Sequence, residues 1–163
     1  MLKKGAYVSP LALATWFINH ADRDAGEAVT HLKLQKLIYY AEAWFLANFD
    51  QSLTNEKFQA WAHGPVSPTV YAKYRDSGWD ALSPEKPKPI PENLVGFLSE
   101  VYEQYGQLGA KKLEALTHKE DPWKVTRGGL PPEAKCTEPI DRLLMRNFYA
   151  ERIGKKRIKT LQD

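Results

Sequence analysis

The segment from residue 31 to residue 48 constrains the fold most, because it holds no Gly or Pro and repeats its apolar residues at helical spacing. Leu34, Leu37, Ile38, Ala41, Trp44, Phe45 and Asn48 fall on one side of a helix whose start is marked by Thr30, a hydroxyl residue able to accept an orphan amide hydrogen bond. So wide an apolar face predicts a central helix on which several others pack.

The remaining elements are predicted around this one. Ser9-Pro10 supplies a cap and a ring already set to helical φ, and Leu13, Ala14, Phe17, Ile18 and Ala21 then recur at helical spacing, which predicts a helix over residues 10–23. Phe58-Gln59-Ala60-Trp61-Ala62 alternates weakly with period two and runs into His63-Gly64-Pro65-Val66, where Gly and Pro demand a turn. A small β element near residues 56–66 is expected. Ser67-Pro68 opens a helix carrying Val70, Tyr71 and Tyr74 that stops before Gly78. Pro84, Pro87, Pro89 and Pro91 predict a stiff, extended connector over 84–91 between two halves.

Beyond it, Leu94, Val95, Leu98, Val101, Tyr102 and Tyr105 predict a helix, with Gly106 placed as a left-handed cap. A shorter helix is expected over 110–117 and another from Asp121-Pro122-Trp123, before Gly128-Gly129 and Pro131-Pro132 break the chain into a loop. Ile140, Leu143, Leu144 and Phe148 predict a last amphipathic helix with Asp141 as its N-terminal anion. A basic tail closes the chain over 152–163 with Lys155, Lys156, Arg157 and Lys159. The expected fold is mainly α: a compact multi-helix single domain over 1–163 with one small β element.

Composition excludes several function classes. At 163 residues and 43% apolar the chain suits one packed domain. A formal charge of +3 is too small to select a polyanion by long-range field, so nucleic acid is not an expected partner. The longest clean apolar run, 11–18, falls short of the roughly 20 residues a membrane span needs. Lys3 and Lys4 lead into Gly5, Ser9 and Pro10 rather than into the apolar core of a signal peptide, so a cytoplasmic protein is expected. A single cysteine, Cys136, forms no internal disulfide, and no Cys/His set has zinc-ligand spacing.

No catalytic constellation emerges. His20, His31, His63 and His118 stand alone, without a second ligand at the offsets that place two on one helix face, and read as surface or capping residues. Cys136 beside Lys135 has no base in sequence reach and reads as a free thiol. Glu120-Asp121 reads as a solvated helix start, and no pair of carboxylates is isolated in an apolar context. Gly106 to Lys112 has glycines and lysines but no hydroxyl for Mg²⁺, and it follows a helix rather than a strand. No metal or cofactor is expected. Lys33 and Lys36, with Gln35 between them near a helix start, superficially suit a recognition helix, but no second helix precedes them at helix-turn-helix spacing. Their face is read as solvated or structural, or else as a contact for a partner or nucleic acid.

Several ordered blocks carry a resemblance. Leu34-Gln35-Lys36-Leu37-Ile38-Tyr39-Tyr40-Ala41, then Phe58-Gln59-Ala60-Trp61-Ala62-His63-Gly64-Pro65-Val66, then Val70-Tyr71-Ala72-Lys73-Tyr74 are similar to the Panacea domain. That family includes SocA-like antitoxins and many proteins labelled phage-associated. The resemblance continues through Tyr105-Gly106, Leu113 to His118, Pro122-Trp123 and Pro139-Ile140. It implies a mainly helical fold with a small β element, and the role of antitoxin in a two-gene toxin–antitoxin module. Panacea domains are known for neutralising unrelated toxins, often by direct protein contact, while SocA-like members deliver the toxin to a AAA+ protease. The partners implied are therefore a cognate toxin and, for the second route, such a protease. Some relatives carry an additional DNA-binding segment, which a chain of this length is expected to lack.

The residues of the motif also speak physically. Gly64 can take a φ closed to other residues and Pro65 restricts it in turn, so Trp61 to Val66 should form one rigid corner. Trp61, Tyr39, Tyr40 and Tyr71 either present anchors there or fill the core beside it, and Trp123 belongs to the same set of motif aromatics. The functions compared are an antitoxin binding its toxin, a phage or prophage regulator binding nucleic acid through the Lys33/Lys36 face and the basic tail, and an enzyme using His63 or Cys136. Amphipathic helices of this kind serve equally in a monomer and in a dimer sharing one face.

Overall fold

The computed structural model describes residues 8–153. Ser9 caps the first helix, its Oγ accepting from the amides of Leu11 and Ala12, and α1 spans Pro10–His20. It ends before residue 23 because the Arg23 guanidinium turns back to donate to the carbonyls of Ile18, Ala21 and Leu82, so the chain leaves the helix in a 3₁₀ turn, Arg23–Ala25. Thr30 Oγ1 accepts from the Lys33 amide and starts α2, His31–Phe49, which closes on Asp50 at φ 55°. All residues of α2 except Leu32, Ala47 and Asn48 are buried, and α1 and most of the elements that follow pack around it. The central helix expected from periodicity is the axis of the molecule.

The β element is a two-stranded antiparallel hairpin, β1 (Gln59–Trp61) and β2 (Gly64–Val66), in the register Gln59 opposite Val66, Ala60 opposite Pro65 and Trp61 opposite Gly64. Its outer edge is covered from far along the chain: the Ala60 amide donates to Glu138 and the Ile140 amide to Phe58. α3 spans Pro68–Tyr74 and passes through a 3₁₀ turn, Arg75–Ser77, to Gly78 at φ 57°. α4 (Val95–Tyr105), α5 (Ala110–His118), α6 (Asp121–Arg127) and α7 (Arg142–Ala150) complete the fold.

Three expectations are corrected. Gly106 is not a left-handed cap: it has φ −65°, and glycine is required because a Cβ would lie 2.5 Å from the Tyr102 carbonyl oxygen. The proline segment does not bridge two halves. It is strapped onto α1, with the Glu85 amide and carbonyl both bonded to the Asn19 side chain at 2.8 Å and its carboxylate accepting from Thr15 and Tyr74. In α7 the buried residues are Met145 and Tyr149, whereas Leu143 is exposed. Arg142, paired with Glu42, and Tyr149, bonded into the core, fix the rotation of that helix. Most of the basic tail expected over 152–163 lies outside the described residues. Among those described, no helix is long and apolar enough to cross a membrane.

Candidate partner-binding groove

The Gly-Pro corner is built by α2. Lys36 Nζ donates to the Pro65 carbonyl at 3.0 Å, and one position earlier the Gln35 amide accepts from the Ser67 N–H at 2.8 Å and donates to the Ser67 carbonyl at 3.3 Å. Two helix side chains thus take the place of a third strand along β2, whose Pro65 offers no amide to a real one. The approach is close enough to need glycine. Gly64 has φ 106°, and a Cβ there would sit 2.5 Å from Lys36 Cε and 2.9 Å from Thr117 Oγ1. From the other side the Trp123 indole donates to the Trp61 carbonyl at 2.7 Å, while Arg127 donates to the Ala60 carbonyl at 2.9 Å. His118 stacks on Trp123 with ring centroids 3.9 Å apart.

This scaffold presents Trp61, Tyr71 and Trp79 around a surface groove of ≈ 300 Å³, with Val66, Leu32, His31 and Gln35 also in its wall. Trp61 and Tyr71 lie 4.7 Å apart, centroid to centroid. Trp79 is 70% exposed and is steadied by the Lys111 ammonium 5.3 Å from its ring. His63 stands on the rim, bonded to Glu114 at 3.2 Å. A second hollow of ≈ 240 Å³ shares Trp61 and His63 with the groove and is also lined by Ala62, Glu133, Lys135, Cys136 and Thr137.

The lining is neutral where it matters. Burial, and secondarily the nearby Lys36, lowers His31 to about 4, so its imidazole is uncharged at neutral pH. Because Gln35 Oε1 is taken by the Ser67 amide, the Gln35 nitrogen 3.0 Å from His31 Nε2 is a donor and Nε2 accepts. Burial likewise lowers the Lys36 amine to about 7, with Glu114 opposing the shift. At Glu114 burial raises the carboxyl, but His63 and Lys111 outweigh it and hold it below the ordinary value.

The expected site residues separate into three groups. Trp61, His63, Val66 and Tyr71 come together at the groove; Gly64, Pro65 and Trp123 build the corner behind it. Lys33, Lys36, Tyr39 and Tyr40 are interior. Lys36 has no exposed surface, and Lys33 is 8% exposed with its Nζ bonded to the Gly106 carbonyl, so this pair offers no basic face to nucleic acid. Glu120 is not a solvated helix start: it is buried and accepts from Tyr40 and Tyr149. His31 is interior rather than a surface histidine. Sequence reasoning missed Trp79, whose position straight after the helix stop at Gly78 was the available signal, and Glu42, a buried carboxylate inside an otherwise apolar helix face. Burial raises Glu42 to about 7 against the Leu53 and Thr54 amides and Arg142. Among the described residues no group of three or more His, Cys, Asp or Glu could hold a metal.

Comparison with known proteins gives consistent matches. A family model described as "Antitoxin SocA-like, Panacea domain" matches residues 34–124, a stretch that contains Gln35, Trp61, His63, Val66, Tyr71 and Trp79. Antitoxin SocA of Caulobacter vibrioides is 31% identical over 119 residues, 62% of this chain and 61% of that protein, so less than two thirds of the relative's length is spanned. No solved structure matches the chain. With more than half of its residues inside the family match, this chain belongs to the SocA-like, Panacea-domain family.

Proposed function

We propose that this protein is an antitoxin that binds a cognate toxin protein directly, and that the Trp61–Tyr71–Trp79 groove is the contact surface. The observation that carries the reading is the overlap between the family match over 34–124 and the groove, whose aromatic walls all fall within that stretch. The chemistry supports the same choice. Among the described residues the groove wall holds no Asp, Glu, Lys or Arg, and its Gln35 is already bonded within the fold. The fitting occupant is an uncharged apolar or aromatic side chain of the partner, which leaves no charge unpaired on burial. Trp and Tyr held by a stiff backbone lose little freedom on binding, which is why such residues dominate interface energetics.

The buried Lys33 and Lys36 remove the basis of the nucleic-acid alternative in α2. Binding is the first step whether the toxin is then masked or handed to a AAA+ protease. The test is co-expression with the neighbouring gene. That gene alone should arrest growth, and this chain should relieve the arrest; a neighbour that is harmless alone removes the antitoxin reading. Toxin half-life then separates the routes, unchanged under masking and shortened under delivery.

A further inference from the structure

We propose that Lys36 is the positioning residue of the groove: through its bond to the Pro65 carbonyl the ammonium sets where Trp61 and His63 stand, and loss of its proton loosens them. The inference rests on the groove as contact surface only for its effect on a partner, because its structural half is read on the isolated protein.

A lysine without exposed surface is rare, since its charge must leave water. The fold makes room for this one at a defined cost, a glycine at φ 106° whose missing side chain is replaced by the lysine stem. The carbonyl it holds belongs to the middle residue of β2, beside Gly64, which pairs with Trp61. Val66, the next residue, lies in the groove wall, and Ser67 beyond it is fixed by Gln35. Lys36 therefore grips the hairpin at the point from which both Trp61 and Val66 are aimed. An ammonium donates roughly twice as strongly as a neutral amine, so its charge state changes that grip.

Among the described residues of α2, burial brings two groups near neutrality, Lys36 and Glu42 at about 7 each, but Glu42 is bonded to Leu53, Thr54 and Arg142 whereas Lys36 holds the hairpin. On α5, Glu114 is held ionised by His63 and Lys111, and burial lowers His118. On α2 itself, burial lowers His31 to about 4. On the hairpin, His63 touches Glu114 and must be controlled for. The Lys36 amine, lowered by burial to about 7, gains its proton as pH falls through neutrality.

The experiment is an NMR titration of isotope-labelled protein from about pH 5.5 to about pH 9, following Lys36 Cε and the Trp61 indole N–H. Lys36 should titrate near 7, and the Trp61 signal should move with the same midpoint in both the wild type and His63→Gln. Lys36→Met should abolish the Trp61 transition. Lys36→Arg, charged throughout, should hold Trp61 at its low-pH position. If Lys36→Met does not fold, the wild-type titration decides alone. A Lys36 midpoint near the ordinary ~10.4, or a Trp61 signal that ignores the Lys36 transition, overturns the proposal. Affinity for the neighbouring gene's product should weaken by up to about tenfold between about pH 6 and about pH 8, as the charged fraction falls. A flat affinity with the Trp61 transition intact supports the positioning role and overturns the groove as the contact surface.

Discussion

Tyr40 and Glu120, 80 residues apart in sequence, meet in the core, where the Tyr40 hydroxyl donates a 2.8 Å hydrogen bond to Glu120 Oε1. Tyr149 donates to the same oxygen at 2.7 Å, so one carboxylate joins α2, the start of α6 and α7. Tyr40 also stacks on Tyr105 with centroids 4.0 Å apart, and the Tyr105 hydroxyl accepts from the Trp44 indole. Glu120→Ala removes the acceptor of two buried hydroxyls, leaving Tyr149 its 3.1 Å contact with the Tyr39 hydroxyl, and should cost about 2–3 kcal/mol, whereas Tyr149→Phe, which keeps the ring, should cost about 1 kcal/mol. Urea unfolding followed by tryptophan fluorescence checks both. A Glu120→Ala loss below about 0.5 kcal/mol would show that the carboxylate does not tie the helices together.

At the corner, Gly64→Ala adds a methyl group 2.5 Å from Lys36 Cε at a φ of 106°. Overpacking and backbone strain each cost on the order of 1–3 kcal/mol, so the variant should lose about 3 kcal/mol or fail to fold. Truncating Lys36 in the same chain removes the clash with the lysine stem but neither the 2.9 Å approach to Thr117 Oγ1 nor the backbone strain. The double variant should therefore be more stable than the sum of the two single losses implies. Strict additivity in denaturant melts would mean the two residues do not press on each other.

Local pattern carried the helices and the hairpin corner, because caps, prolines and apolar spacing act over a few residues. α2 was legible since its face is apolar and unbroken, and the corner was legible since Gly64-Pro65 admits few conformations. What stayed hidden depends on distant partners. Lys36 reads as a surface cation until β2 is laid over it, and Glu120 reads as a solvated cap until Tyr40 and Tyr149 converge on it. The apolar spacing in α7 pointed to Leu143, but the Glu42–Arg142 pair at 3.3 Å and the Tyr149 bond turn a different face inward. Trp79 was overlooked because one exposed aromatic has no period; only its place across from Trp61 and Tyr71 gives it meaning.

Trp79 should separate binding from folding. At 70% exposure its removal should change stability by no more than about 0.5 kcal/mol. If the groove is where the toxin sits, Trp79→Ala should weaken binding by about 2 kcal/mol, roughly 30-fold, as expected of an interface anchor. Calorimetry with the co-expressed partner measures the affinity, and thermal melting of the free protein measures the stability. An unchanged affinity would move the contact to another face.

His31 sets the acid limit of the same site. Its ring lies 5.4 Å from that of Tyr71 and 6.1 Å from that of Tyr74, and burial lowers it to about 4. The unfolded chain takes up a proton near the ordinary ~6.5, whereas the folded chain resists until about 4, so the unfolded state binds more protons between those values. This contribution to stability is complete above about 6.5 and is lost as pH falls toward about 4. His31→Gln has nothing to protonate, so its urea midpoint should fall less than the wild type's between about pH 7 and about pH 4.5, carboxylate effects being common to both. Equal losses would show that His31 is free to protonate in the fold. Because His31 lies in the groove wall, a proton there also brings a charge against an uncharged occupant, so below the Lys36 transition, from about pH 6 to about pH 4.5, partner affinity should weaken more in the wild type than in His31→Gln.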